Sequence, residues 1–208
     1  MAAAVVSGSL LVMTACTQRT PPASGPAAEV RHPTADATVD EERPSTNYGL
    51  KPTLVVNDDH GGRANNWSYL RFDLGADPGS IASATLRVYV DDPSPARPTV
   101  ARASNSWSEQ KVTWKNRPRP TGAAIPSAGG VSGGWMQWDV TSLLPAKGRF
   151  TLVLRSTSAH PVDISSRSGP HPPALVLDAA GPGAPGAPPS TTAAATTAPA
   201  TTAPATTA

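Results

Sequence analysis

The chain has 208 residues, of which 38% are hydrophobic, 24 are proline and 17 are glycine. This length suits one domain with segments left over, because Pro and Gly at this level keep part of a chain out of a core. With 17 Lys and Arg against 15 Asp and Glu, the net charge is +2, which argues against nucleic acid as the partner.

The N-terminal residues 1–16 are typical of an export signal. Residues 2–15 carry no charge and contain the apolar run at 10–13, which is too short to span a membrane as a mature helix. Cys16, the single cysteine, follows small residues and so stands where the lipobox of bacterial lipoproteins has its lipidated cysteine. Met13 and Thr14 depart from that pattern, so simple secretion and an uncleaved segment are the alternatives.

Two low-complexity segments flank the rest of the chain. Residues 17–28 are rich in Pro, Ala and Ser, and residues 180–208 consist only of Gly, Pro, Ala, Ser and Thr. Neither segment has enough apolar surface to offset the entropy of ordering. We expect a flexible spacer at 17–28 and a disordered tail at 180–208, which is a linker or a glycosylated stalk.

Residues 29–179 have the pattern of an all-β domain, in which short runs alternate apolar with polar residues between turn-forming clusters. The clearest runs are 54–56, 67–74, 83–90, 99–103, 135–140, 150–155, 162–165 and 174–177. Eight short strands in one domain predict two antiparallel sheets packed as a β-sandwich.

Strand alternation predicts which side chains face outward. In 67–74, Leu70 and Phe72 face the core while Tyr69 and Arg71 face away, and in 83–90, Arg87 and Tyr89 face away. If the two strands pair, these four outward residues form one surface. Flat rings beside guanidinium groups suit a sugar chain, particularly one that bears carboxylates.

Two further groups are candidate contacts. Trp135 and Trp138 lie on opposite faces of one strand, so we expect Trp138 in the core and Trp135 free to stack on a ligand. Lys115 and Arg117 belong to the basic stretch 97–119. This stretch is either a solvated rim or a contact for an anion.

The sequence contains no catalytic constellation. It lacks a Gly-x-Ser-x-Gly nucleophile motif, Cys16 lies in the signal region, and the four histidines have no metal-ligand spacing. The one cofactor candidate is structural calcium, bound by oxygen ligands from turns and strand ends. Ordinary turn chemistry is the alternative explanation. The candidate ligands are Asp36, Asp58, Asp59 and Asp139.

Several motifs occur in an order that resembles one family. Residues 35–40 and 45–49 read ADATVD and STNYG, residues 68–74 read SYLRFDL, and residues 81–90 read IASATLRVYV. The most specific block, residues 105–118, reads NSWSEQKVTWKNRP. Over 34–177 the chain resembles the DNRLRE domain, also classified as carbohydrate-binding module family 96.

The resemblance implies a jelly-roll-like β-sandwich that is extracellular and binds carbohydrate, with alginate-like polyuronates among the family's ligands. One departure is Ser168, where the family usually carries Glu. Trp107 and Trp114 in the specific block are either packing anchors or sugar platforms. We therefore expect a monomeric, non-catalytic module for an acidic polysaccharide or a cell-wall glycan, exported to the medium or to the outer face of the membrane. The alternative is a structural or adhesion module without sugar specificity.

Lipidation of Cys16 is directly testable. Cys16→Ser should release the protein from the membrane fraction into the medium, because a thioether-linked lipid needs the thiol. Fractionation with mass spectrometry of the N-terminus measures this. A wild-type protein that is already wholly in the medium with an unmodified N-terminus would contradict the prediction.

Overall fold

A computed structural model describes residues 28–58, 65–76, 78–127 and 133–180. These residues form an antiparallel β-sandwich of eleven strands with two short 3-10 turns, at Trp114–Asn116 and Thr141–Leu143. The strands are β1 (Glu29–Arg31), β2 (Ala35–Asp40), β3 (Thr53–Val56), β4 (Asn66–Asp73), β5 (Ile81–Val90), β6 (Thr99–Ala103), β7 (Pro120–Pro126), β8 (Gly134–Asp139), β9 (Arg149–Arg155), β10 (Val162–Ser165) and β11 (Ala174–Ala179). The predicted all-β sandwich is confirmed.

The strands divide into two sheets. Sheet A has the order β1-β11-β5-β10-β3, and β8 pairs with β5; sheet B has the order β2-β4-β9-β6-β7. All eight predicted runs are strands, whereas β1, β2 and β7 were not predicted. Strand β7 begins and ends with proline and lies at the edge of its sheet, where a missing N–H group is tolerated.

The main core lies between the inner faces of the two sheets. Strand alternation predicted its members correctly on β4 and β5: Leu70, Phe72, Leu86 and Val88 are fully buried there. Trp138 is also buried, and its indole N–H donates to the carbonyl of Pro98 at 3.2 Å.

A second core lies on the outer face of sheet B, under residues 104–119, which we call the cover segment. Val112 and Trp114 from this segment pack on Tyr69 and Val153 of the sheet. The ring of Trp107 lies 5.9 Å from that of Tyr69. Both tryptophans of the specific sequence block therefore pack the cover segment against the sheet.

Hydroxyl groups join the two sheets along one side of the sandwich. The backbone N–H of Val55, on edge strand β3 of sheet A, donates to Thr38 Oγ1 at 2.9 Å, and Ser68 Oγ donates to the Val55 carbonyl at 2.8 Å. Thr38 and Ser68 belong to sheet B and bond each other at 3.0 Å. Backbone groups of β3 that another strand would have paired are thus satisfied by side chains.

The terminal predictions fall outside the described residues. The signal at 1–16 with its candidate lipid anchor, the spacer up to residue 27 and the tail from residue 181 stay predictions. Within the described ranges, no helix is long and apolar enough to cross a membrane.

The cover segment should contribute substantially to stability. Trp114→Ala should lower the free energy of unfolding by about 3 kcal/mol, because removing a buried tryptophan leaves a cavity. Trp135→Ala is the matched control and should cost less than about 1 kcal/mol, because Trp135 is exposed on the opposite sheet. Urea denaturation measures both, and equal losses would contradict a buried cover segment.

Candidate functional site

The outer face of sheet A presents an aromatic patch on the neighbouring strands β5 and β8. Tyr89 lies directly opposite Trp135 in the strand register, and Arg87 lies opposite Gln137. Trp135 is 42% exposed, an unusual fraction for a tryptophan. Gly133 and Gly134 have φ angles of +94° and +97° where the chain enters β8, a conformation that favours glycine.

The rings and the guanidinium group of this patch contact one another. The Tyr89 and Trp135 rings meet edge to face with centroids 5.5 Å apart, and Arg87 Cζ lies 4.7 Å from the Trp135 centroid. The His171 ring lies 4.0 Å from that of Tyr89. We call Arg87, Tyr89, Trp135, Gln137 and His171 the Trp135 surface.

Arg87 is paired with no carboxylate of the described residues. In the described part of the chain it forms no ion pair, and its Nε is buried without a hydrogen-bond partner. A guanidinium in this state can donate to an oxyanion, and an adjacent indole face can stack on the C–H face of a sugar ring. The Trp135 surface can therefore contact both the ring and the charged group of a uronate.

The predicted surface that joined Tyr69 and Arg71 to Arg87 and Tyr89 is wrong. Strand β4 pairs with β2 and β9 in sheet B, whereas β5 lies in sheet A. Tyr69 is completely buried under the cover segment, and its hydroxyl donates to the Pro118 carbonyl at 2.7 Å. Alternation gave the correct side of the strand, but it could not show that a distant segment covers that side.

Arg71 also binds the cover segment instead of facing solvent freely. Its Nη2 donates to the carbonyls of Asn105 and Trp107 at 3.1 and 2.5 Å, and its Cζ lies 4.3 Å from the Trp107 centroid. Partial burial and the nearby charge of Arg149 lower the pKa of Arg71. Its hydrogen-bonding capacity is therefore used to hold the cover segment.

Lys115 and Arg117 lie on and beside the 3-10 turn of the cover segment. Lys115 is exposed. Arg117 is half-buried, stacks on Trp114 with Cζ 3.4 Å from the ring centroid, and donates to the Trp114 carbonyl. Burial, and then repulsion by Arg119, lower the pKa of Arg117. These residues lie on the sheet B side of the sandwich, away from the Trp135 surface.

Among the described residues, the candidate calcium ligands do not form one metal-binding group. Asp59 lies outside the described residues, and nowhere in the described ranges do three or more His, Cys, Asp or Glu side chains form a metal-binding group. Asp36 accepts the backbone N–H of Arg167 at 2.6 Å, and Asp139 accepts the N–H and hydroxyl of Thr141 at 3.0 and 2.6 Å. Asp58 follows β3, on the chain segment that precedes Asp59. Asp36 and Asp139 therefore brace separate places in the fold, and structural calcium stays a prediction.

An ionic network holds the cover segment to both sheets. Arg167, in the β10–β11 connection, donates from Nε and Nη2 to the Glu109 carboxylate at 2.6 and 2.8 Å. The backbone N–H of Asp36 donates to the same carboxylate at 2.9 Å. Partial burial acts to raise the pKa of Glu109, but the hydrogen bonds and charge of Arg167 outweigh it and lower the pKa.

Asp36 lies beneath this ion pair and is only 2% exposed. Burial raises its pKa to about 6, with a smaller contribution from the Glu109 charge, against the lowering effects of the Arg167 N–H group and charge. A carboxyl group that is costly to ionise therefore lies where the cover segment meets the β10–β11 connection.

The comparison with family models decides the family of this domain. The model for carbohydrate-binding module family 96 matches residues 27–179, which include every strand described above. The chain belongs to carbohydrate-binding module family 96. The resemblance seen in the sequence motifs is confirmed.

Other comparisons are less informative. No curated protein is similar enough in sequence to count as a match. Among solved structures, the K1 cleaved adhesin domain of Lys-gingipain from Porphyromonas gingivalis W83 aligns with 13% identity and a TM-score of 0.27, over 75% of this chain and 100% of that chain. That TM-score is too low to bear on fold or ligand.

Two members of the Trp135 surface in this family 96 module were not predicted. Gln137 could have been found by alternation from Trp135, which places both side chains on one face. His171 lies in the β10–β11 connection, far from Tyr89 in sequence, and no local signal points to their contact.

Ser168, which replaces the family's usual Glu, bonds Ser166 at 3.0 Å, and the neighbouring Arg167 takes Glu109 as its partner.

The buried carboxyl of Asp36 should make stability depend on pH. With a pKa near 6 in the folded state and 3.8 in the unfolded chain, the folded state holds an extra proton between these values. The extra proton therefore stabilises the folded state fully below about pH 4, and this contribution to the free energy of unfolding is lost as the pH rises through 6. The total loss is up to about 3 kcal/mol. Relative to Asp36→Asn, the wild type should lose stability between pH 4 and pH 7.

Urea denaturation at four pH values across this range measures the effect. Asp139→Asn is the control with the opposite sign, because hydrogen bonds from Thr141 lower the pKa of Asp139. The wild type should therefore not lose stability relative to that variant as the pH rises. Parallel pH dependences of the wild type and Asp36→Asn would refute the prediction.

Proposed function

We propose that this module binds an acidic polysaccharide across the open face of sheet A, without cleaving it. Trp135 stacks on a sugar ring, and Arg87 donates to the carboxylate of a uronate residue. The observation that supports this is the exposed Trp135 ring with an uncommitted guanidinium 4.7 Å from its centroid. We further propose that the protein acts outside the cell, as expected of its signal-like N-terminus.

The difference between the two sheets supports this choice of face. The outer face of sheet B carries Tyr69 and Val153, which are fully buried under the cover segment. On sheet A, the corresponding face leaves Trp135 and Val30 exposed, at 42% and 51%. The exposed Trp135 ring, with Tyr89 and Arg87 beside it, is available to stack on a sugar ring.

The supporting residues also suit the ring hydroxyls of a sugar. The amide of Gln137 can donate and accept hydrogen bonds, and the His171 ring offers two nitrogens. Tyr89 contacts both the Trp135 and the His171 rings, at 5.5 and 4.0 Å, and so orients the platform. Arg87 then distinguishes an acidic chain from a neutral one, because a charge-assisted bond to a carboxylate is about twice as strong as a neutral bond.

Two substitutions separate stacking from charge recognition. Trp135→Ala should weaken binding of acidic and neutral oligosaccharides alike by about tenfold, because stacking does not depend on charge. Arg87→Gln should weaken binding of oligogalacturonate at this surface by roughly ten- to a hundredfold, from the loss of about 1.5–3 kcal/mol, and leave neutral binding unchanged. Isothermal titration calorimetry measures both variants.

Arg149→Gln is the matched control, because Arg149 is exposed on sheet B and pairs with Asp73 at 4.0 Å, a distance at which little is lost. It should bind like the wild type. If both Trp135→Ala and Arg87→Gln bind every oligosaccharide like the wild type, the Trp135 surface is not the site. If the wild type binds none of the glycans tested, the structural or adhesion alternative is favoured.

A further inference from the structure

On the opposite face of the sandwich, Arg117 and Arg155 lie over the ring of Trp67, and Arg119 follows Arg117 by two residues. Arg117 and Arg119 lie at the end of the cover segment, and Arg155 ends β9. Arg117 Cζ lies 4.7 Å and Arg155 Cζ 5.3 Å from the Trp67 centroid. Trp67 is half-buried, so its ring forms the floor between guanidinium groups that come from distant parts of the chain.

The charges of these arginines act together. All three lie close enough to the buried hydroxyl of Tyr69 for their positive charges to oppose the rise in its pKa that burial causes. Burial is also the main cause of the lowered pKa of Arg117, and the charge of Arg119 adds to it. Like charges are thus held near one another at an energetic cost.

No carboxylate of the described residues neutralises this cluster. Within the described ranges, none of the three arginines forms an ion pair. Glu41 acts on Arg117 only from beyond ion-pair distance. The Nε atoms of Arg117 and Arg155 are buried without hydrogen-bond partners. Cations that repel one another without a counter-charge destabilise a fold, and an anion that binds them relieves the repulsion.

We propose that Arg117, Arg119 and Arg155 form a second binding site, which takes the carboxylate or sulfate groups of an acidic polysaccharide. Guanidinium groups bind such oxyanions through paired hydrogen bonds, and stacking on Trp67 holds the guanidinium groups of Arg117 and Arg155 in place. The ligand class rests on the proposed function, whereas the anion site rests on the arginine geometry alone.

The position of the second site has a consequence for how the module binds. The Trp135 surface lies on the outer face of sheet A and the arginine cluster on the outer face of sheet B, and stacked sheets are about 10 Å apart. Because these two outer faces point away from each other, an extended oligosaccharide that lies along one face does not contact the other. The module therefore binds two acidic oligosaccharides and can join two polysaccharide chains.

The test compares two charge-matched double variants of the full chain. Arg119→Gln with Arg155→Gln removes two charges of the cluster while leaving the hydrogen bond from Arg117 to the cover segment intact. Lys147→Gln with Arg149→Gln removes two charges at the opposite end of β9, about 20 Å away by strand rise. The probes are an oligogalacturonate octasaccharide, a heparin-derived octasaccharide, a neutral cello-oligosaccharide and inorganic sulfate.

The readouts are calorimetric stoichiometry and the NMR signals of the indole N–H groups. The wild type should bind two acidic octasaccharides, with shifts of the Trp67 and Trp114 signals. In the Arg119/Arg155 variant, the affinity of one site should fall at least tenfold, and the shifts of the Trp67 and Trp114 signals should disappear. The Lys147/Arg149 variant should keep the affinity of both sites and the shifts. The better of the two acidic probes identifies the group as carboxylate or sulfate.

Three outcomes would overturn the inference. The first is that the Trp67 and Trp114 signals do not shift with either acidic octasaccharide. The second is that the two double variants bind the acidic octasaccharides with equal affinity. The third is that inorganic sulfate shifts these signals as much as the octasaccharides do, which would mean that the cluster binds an adventitious ion only. Failure of the proposed function is distinguishable, since it abolishes the Trp135 response and the effect of Trp135→Ala while the Trp67 response persists.

Discussion

The attachment of Glu109 holds this sandwich in its functional form. Its carboxylate accepts three hydrogen bonds, two from Arg167 of the β10–β11 connection and one from Asp36 of sheet B, while its carbonyl accepts Asn47 Nδ2 at 2.8 Å. Gly49 lies so close that a Cβ there would be 1.9 Å from the same carbonyl. One residue thus connects the cover segment to both sheets, and any side chain at position 49 would push it away.

The cover segment decides which residues on the outer face of sheet B are accessible. Because Val112 and Trp114 pack on Tyr69 and Val153, these two residues stabilise the fold and are closed to a ligand. Sheet A has no such cover among the described residues, so Trp135 keeps its exposure. The cover segment also brings Arg117 over the Trp67 ring, and so it contributes to the arginine cluster while it covers the sheet.

Arginine has three different roles in this domain, and its partners determine each one. Arg71 donates to cover-segment carbonyls, and Arg167 forms a two-pronged ion pair, so both are structural. Arg87, Arg117 and Arg155 stack on tryptophan rings but have no carboxylate partner in the described residues. Stacking orients a guanidinium without neutralising it, which leaves the charge free for an external anion.

The sequence by itself determined eight of the eleven strands, the inward faces of β4 and β5, and the family, because alternation with period two and the motif order are local properties. It also separated Trp138 from Trp135 correctly. Only the tertiary structure decided that β4 and β5 lie in different sheets, that the cover segment buries Tyr69 and uses Arg71, and that His171 reaches Tyr89. Strand partners and covering segments come from residues far apart in the chain, and alternation states which side of a strand faces away without stating what lies against that side.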